Sequence, residues 1–61
     1  MITVTRMNDR DVVLNCDIIE MIEEAPDTTI TMTTGRKVIV RDTVQEVWQK
    51  IFDYKKSINR A

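Results

Sequence analysis

The chain has 61 residues, with nine Lys and Arg against ten Asp and Glu, a formal net charge of −1 and a hydrophobic fraction of 43%. One cysteine, Cys16, excludes an internal disulfide, and the absence of histidine excludes a Cys/His zinc site. The acidic balance (pI near 5.2) is poor for a nucleic-acid binder, which needs a basic surface to displace counterions.

A single domain of this size buries only about 60% of its unfolded surface. Such folds commonly lean on a disulfide, a metal or oligomerisation. Of these, only oligomerisation is compatible with the composition. No cofactor is expected. The N-terminus, Met1-Ile2-Thr3-Val4-Thr5, shows no basic stretch followed by an apolar run, and nothing approaches the roughly 18 consecutive apolar residues of a membrane span. A lone thiol suits a reducing compartment. The expectation is a cytoplasmic protein without membrane insertion.

Ile2–Arg6 alternates Ile2 and Val4 with Thr3 and Thr5, the period of a strand. Met7-Asn8-Asp9-Arg10 is a polar turn, and Asp11–Leu14 is the returning strand. Ile18–Glu24, with Ile18, Ile19, Met21 and Ile22, fits either a short helix or a strand. Its length of seven and the following Pro26-Asp27 turn favour a strand. Thr28–Thr33 places Ile30 and Met32 on one face and threonines on the other. Thr34-Gly35-Arg36 is a hairpin turn around the only glycine, and Lys37–Arg41 returns with Val38 and Val40 on one face and Ile39 on the other.

From Val44 the period changes. Val44, Val47, Trp48, Ile51, Phe52 and Ile58 form the apolar stripe of an amphipathic helix from about Thr43 to about Ser57. Thr43-Val44-Gln45-Glu46 is a capping-box sequence, Thr43 accepting from the Glu46 amide and Glu46 reaching back. Asp42 suits the positive end of the helix dipole, and Lys55, Lys56 and Arg60 the negative end.

The expected fold is therefore α+β: a small antiparallel sheet of four to five strands followed by one C-terminal amphipathic helix, in one domain spanning residues 1–61. Its core is expected to hold Ile2, Val4, Ile30, Met32, Val38, Val40, Val47, Trp48, Ile51 and Phe52, with Trp48, Ile51 and Phe52 leading the helix onto one sheet face. Burying a large apolar side chain contributes about 1.5–3 kcal/mol before entropy is subtracted.

Catalytic chemistry finds little footing. No histidine is present to act as general base. The only serine, Ser57, lies at a helix end with no base near it in sequence, and Asp17 beside Cys16 would raise the thiol pKa rather than lower it. Cys16 reads as a turn or core residue. The chain is expected not to be an enzyme.

Surface features point to contact instead. Between Asp9 and Asp27 stand seven acids (Asp9, Asp11, Asp17, Glu20, Glu23, Glu24, Asp27) and one base, Arg10; from Lys50 to Ala61 stand four bases and one acid, Asp53. A solvated surface with self-complementary ends is the plain reading, and a steering patch the sharper one. One helix covers only one face of a sheet, yet apolar residues occupy both alternation classes. Val13, Ile18, Ile22 and Ile39 are therefore expected on an uncovered face, with Glu20, Glu23 and Glu24 as its rim, and contiguous exposed apolar surface usually marks an interface. A homo-oligomer or a protein partner is expected there.

Three blocks carry a likeness to a known family: Ile2-Thr3-Val4-Thr5-Arg6-Met7-Asn8; then Leu14-Asn15, Asp17, Ile19-Glu20, Ile22-Glu23, Pro26-Asp27-Thr28 and Ile30-Thr31; then Thr34-Gly35-Arg36-Lys37 with Val44 and Val47. Together they resemble the FlbD/SwrD family of small bacterial flagellar proteins over essentially the whole chain. The departures are Met7-Asn8-Asp9, where a Leu-Asn-Gly turn is usual, and Cys16, where proline is common. The resemblance implies a role in flagellar and swarming motility, supporting the motor or basal body at the cytoplasmic face of the flagellar base, and it implies no catalytic residue. A strand–turn–strand followed by Arg41-Asp42-Thr43-Val44 and a helix is also similar to the second half of LytTR DNA-binding domains. In that reading Arg6, Arg10, Arg36, Lys37 and Arg41 would line a nucleic-acid edge.

Overall fold

The computed structural model describes residues 1–58. Strand β1 (Ile2–Thr5) pairs antiparallel with β2 (Asp11–Leu14), Ile2 opposite Leu14 and Val4 opposite Val12. The turn between them needs a left-handed residue, and Asp9 takes it at φ 66°. The turn closes through Arg6 N–H to the Arg10 carbonyl (2.8 Å) and Arg10 N–H to Asn8 Oδ1 (3.0 Å). Asp9 tolerates the conformation better than most residues because its short polar side chain can bond locally. Here its carboxylate meets Arg41 Nε at 2.8 Å.

A 3-10 turn, Cys16–Ile18, follows, with Asn15 Oδ1 accepting from the Asp17 amide at 3.1 Å. Strands β3 (Ile19–Glu24), β4 (Thr28–Met32) and β5 (Lys37–Val40) then form an antiparallel meander in the order β3-β4-β5. Gly35, at φ 92°, supplies the positive φ of the β4–β5 turn.

The five strands divide into sheets of two and three, rather than the one sheet expected from sequence. Among the described residues their backbones are joined by the Arg6–Val40 bridge and the Arg41 N–H to Thr5 carbonyl bond (2.7 Å). The reason lies in the alternation. Both sheets carry an apolar set, and a single helix cannot cover all of it if the strands lie flat. The two sets instead share one core: Ile2, Val4, Leu14 and Cys16 from the first part of the chain, Ile30, Met32, Val38 and Val40 from the second, and Val47 from the helix.

Helix α1 (Val44–Ile58) packs against β1 and β3, one strand from each sheet. Its N-terminus is capped reciprocally: Thr43 Oγ1 accepts from the Glu46 amide (3.1 Å) and Glu46 Oε1 accepts from the Thr43 amide (2.8 Å). Lys55 and Lys56 lie in its last turn; Arg60 lies outside the described residues.

Three placements differ from the sequence expectation. First, β3 contains a bulge between Ile19 and Met21, so Ile19 pairs with Met32 and Ile22 with Ile30. Ile19 and Ile22 therefore share the core face although they are three residues apart. Ile22 is half-buried against the core, not on the uncovered face. Second, Ile18 closes the 3-10 turn and is not part of the strand. Third, Trp48 and Phe52 are not core residues: they are 58% and 47% exposed. Val47 is fully buried, and Ile51 and Tyr54 pack beside it, so the helix turns a narrower arc inward than its apolar stripe suggests. The space between two small sheets is filled by Val, Ile, Leu and Met side chains, which leaves no room for two large rings.

Candidate interaction surface

An α-helix brings residues four apart onto one face. Trp48 and Phe52 stack there with ring centroids 5.3 Å apart and planes within 10°. Both rings are exposed to solvent on that face. Beside them runs a shallow groove between α1 and β3. Ile19, Ile22, Val44, Trp48 and Ile51 line it, with Met21 and Glu20 on the strand side and Lys55 on the helix side. Met21, which pairs with Thr31 just past the bulge, is 44% exposed.

The electrostatics of the groove are uneven. At one end Lys55 Nζ bonds Asp17 Oδ1 at 3.0 Å, tying the helix to the 3-10 turn. That hydrogen bond, and the Asp17 charge with it, raises the Lys55 pKa above the usual lysine value. Along the strand, Glu20, Glu23 and Glu24 are exposed. Glu24 Oε1 lies 3.4 Å from the Val44 amide at the start of α1. The helix-side cation is thus already matched, whereas the strand-side acids face solvent.

A different interaction anchors the helix. Asp42 stands just before α1, and its carboxylate accepts from the Thr5 amide (2.8 Å) and from Lys50 Nζ (2.7 Å). Lys50 Nζ also donates to the Thr3 carbonyl (2.7 Å). Burial of Asp42 raises its pKa, but the bonds from Lys50 and Thr5 outweigh that effect and hold it below the usual aspartate value. Sequence reasoning assigned Asp42 only to the helix dipole. The Asp42–Lys50 spacing of eight residues, just over two helical turns, is the signal that could have exposed the clamp.

The remaining residues expected at an interface are dispersed. Val13, 62% exposed, lies on the outer face of the β1–β2 sheet beside Thr3. Ile39, 50% exposed, lies on the outer face of the β3–β4–β5 sheet in register with Thr29. Near Ile39 a second shallow depression gathers Arg6, Arg36 and Lys37. Arg41 is turned elsewhere, to Asp9 and the Met7 carbonyl. Cys16 is buried, and its Sγ is 3.8 Å from the N-terminal amine. Among the described residues no group of three or more His, Cys, Asp or Glu is placed to hold a metal ion, and no helix is long and apolar enough to cross a membrane.

This is the anatomy of a small α+β protein whose most developed exposed surface, an aromatic pair beside an open strand, suits contact. The chain matches the family model FlbD, flagellar and swarming motility proteins, over residues 1–59, and it belongs to that family. Searches of curated proteins and of solved structures give no match.

Proposed function

We propose that the protein is a non-enzymatic accessory of flagellar motility that acts by protein–protein contact, supporting the motor or basal body from the cytoplasmic side. The family places it among flagellar and swarming motility proteins. The exposed Trp48–Phe52 stack carries the contact reading. Exposing two large rings costs solvation that a better-packed helix would avoid, and aromatic residues dominate the energetics of protein interfaces. The outer faces bearing Val13 and Ile39 are the surfaces assigned to self-association. The test is complementation of a strain lacking the protein. The wild-type gene restores swarming, and a gene encoding Trp48→Ala with Phe52→Ala does not, although the variant accumulates and keeps its far-UV circular dichroism. Full restoration by the double variant would refute the reading.

A second reading, a LytTR-like DNA-binding regulator, draws on the depression lined by Arg6, Arg36 and Lys37. The net charge of −1 opposes it. Salt-sensitive retention on DNA that disappears in an Arg36→Ala, Lys37→Ala variant would favour this reading, and absence of retention by the wild type would remove it.

A further inference from the structure

We propose that the free edge of β3 receives an extended, lysine- or arginine-bearing segment of another protein as a fourth strand, with its apolar side chains under the Trp48–Phe52 ledge. The inference rests on the α1–β3 surface being the contact surface, and it adds the mode of binding and the chemistry of the partner.

Among the described residues β3 pairs with β4 alone, so its other edge carries no ladder. It is also the longest strand, at six residues. Exposed edges are normally blunted by short length, lysine, proline or a bulge. Here the bulge sits at the Ile19 end, between Ile19 and Met21, and the regular pairing continues from Met21 to Glu24 without lysine or proline. A strand added along that stretch would alternate its side chains between the two faces of the sheet. One set would enter the groove lined by Ile22, Val44, Trp48 and Ile51. The other would lie beside Glu23 on the outer face, which Glu23 shares with Thr29.

Charge decides between the possible occupants. Half of β3 is glutamate: Glu20, Glu23 and Glu24. Antiparallel pairing of β3 with β3 of a second copy, in any register that overlaps most of the strand, sets glutamates opposite or diagonal to one another, and like charges so placed are destabilising. A cationic segment meets the same glutamates with attraction. The matched Lys55–Asp17 pair at the groove's end does not compete for them. The acids therefore act as negative selection against self-pairing and as selection for a basic partner.

The experiment uses the full chain and a fluorescein-labelled alternating lysine–valine octapeptide, followed by fluorescence anisotropy. Saturable binding is expected. It should weaken by about tenfold or more in Trp48→Ala and in Glu20→Lys with Glu23→Lys, and be lost when alternate peptide nitrogens are methylated, which removes the ladder donors but not the charge. Amide shifts in the bound protein should concentrate in Met21–Glu24. Equal binding of a glutamate–valine octapeptide, indifference to N-methylation, or doubling of the solution mass in place of peptide binding would each overturn the proposal. If the aromatic double variant loses motility while the wild type binds no lysine–valine peptide, the strand-addition mode fails and the contact surface stands. If the peptide binds and the double variant swarms normally, the contact reading fails instead.

Discussion

Replacing Asp42 by alanine removes the acceptor that fastens β1 to the start of α1. The Thr5 amide then loses a partner at 2.8 Å, and leaving such a partly buried donor unmatched costs about 1–3 kcal/mol. Lys50 loses its bond at 2.7 Å. It keeps the Thr3 carbonyl, and its side chain is 41% exposed and can rehydrate, so this half of the clamp contributes at most about 1 kcal/mol. The expected loss is about 2–3 kcal/mol, against the roughly 3–5 kcal/mol that a core of this size supplies. With a urea slope near 1 kcal/mol per molar, the midpoint should fall by about 2–3 M. Circular dichroism is the proper probe, because Trp48 is exposed in the native state and its fluorescence would report unfolding weakly. Protonation gives a second handle. Asp42 has a depressed pKa in the folded state, so its stabilisation is complete above the unfolded value near 3.9 and is lost as pH falls through the folded value. The acid limb of stability below about pH 4 should therefore be steeper in the wild type than in Asp42→Asn. An Asp42→Ala midpoint equivalent to less than about 0.5 kcal/mol of destabilisation, the range of an ordinary surface change, would refute the clamp.

Other positions give independent checks. Thr31 is 7% exposed, and its hydroxyl has no hydrogen-bond partner among the described residues; Thr31→Val should be neutral or stabilise by up to about 1 kcal/mol in urea melts. Asp9 holds φ 66°, so Asp9→Val should cost about 1–2 kcal/mol while Asp9→Gly stays close to wild type, strain relief offsetting the exposed Arg41 pair. Ile39→Asp should leave the helix signal unchanged and abolish self-association in light scattering; a wild type that is already monomeric would remove that prediction's basis.

Regular alternation made β1, β2 and β5 legible, because each buries one side-chain set, and the β-branched run Thr28–Ile30 made β4 legible although both of its sets are largely buried. The cap was equally plain, since Thr43 and Glu46 need only local geometry to meet. β3 resisted because its bulge replaces period two with a three-residue step from Ile19 to Ile22, which imitates a helical turn and hides which face Ile22 occupies. The aromatic pair was misplaced for a different reason. Periodicity shows which residues could face inward, but the volume available between the sheets decides which do. Val47 and Ile51 take that space, and Tyr54 packs where no apolar stripe predicted it. Six apolar positions on one helix, set against so short a chain, were the available hint that the stripe exceeds the core.

The contact surface exists only if the helix leaves Trp48 outside. The direct measurement is the emission and acrylamide quenching of Trp48, the sole tryptophan, across a dilution series of the folded protein. Water-like emission and efficient quenching at the lowest concentration are the predicted result. Blue-shifted, quencher-protected emission that persists on dilution would place Trp48 in the core and contradict the account.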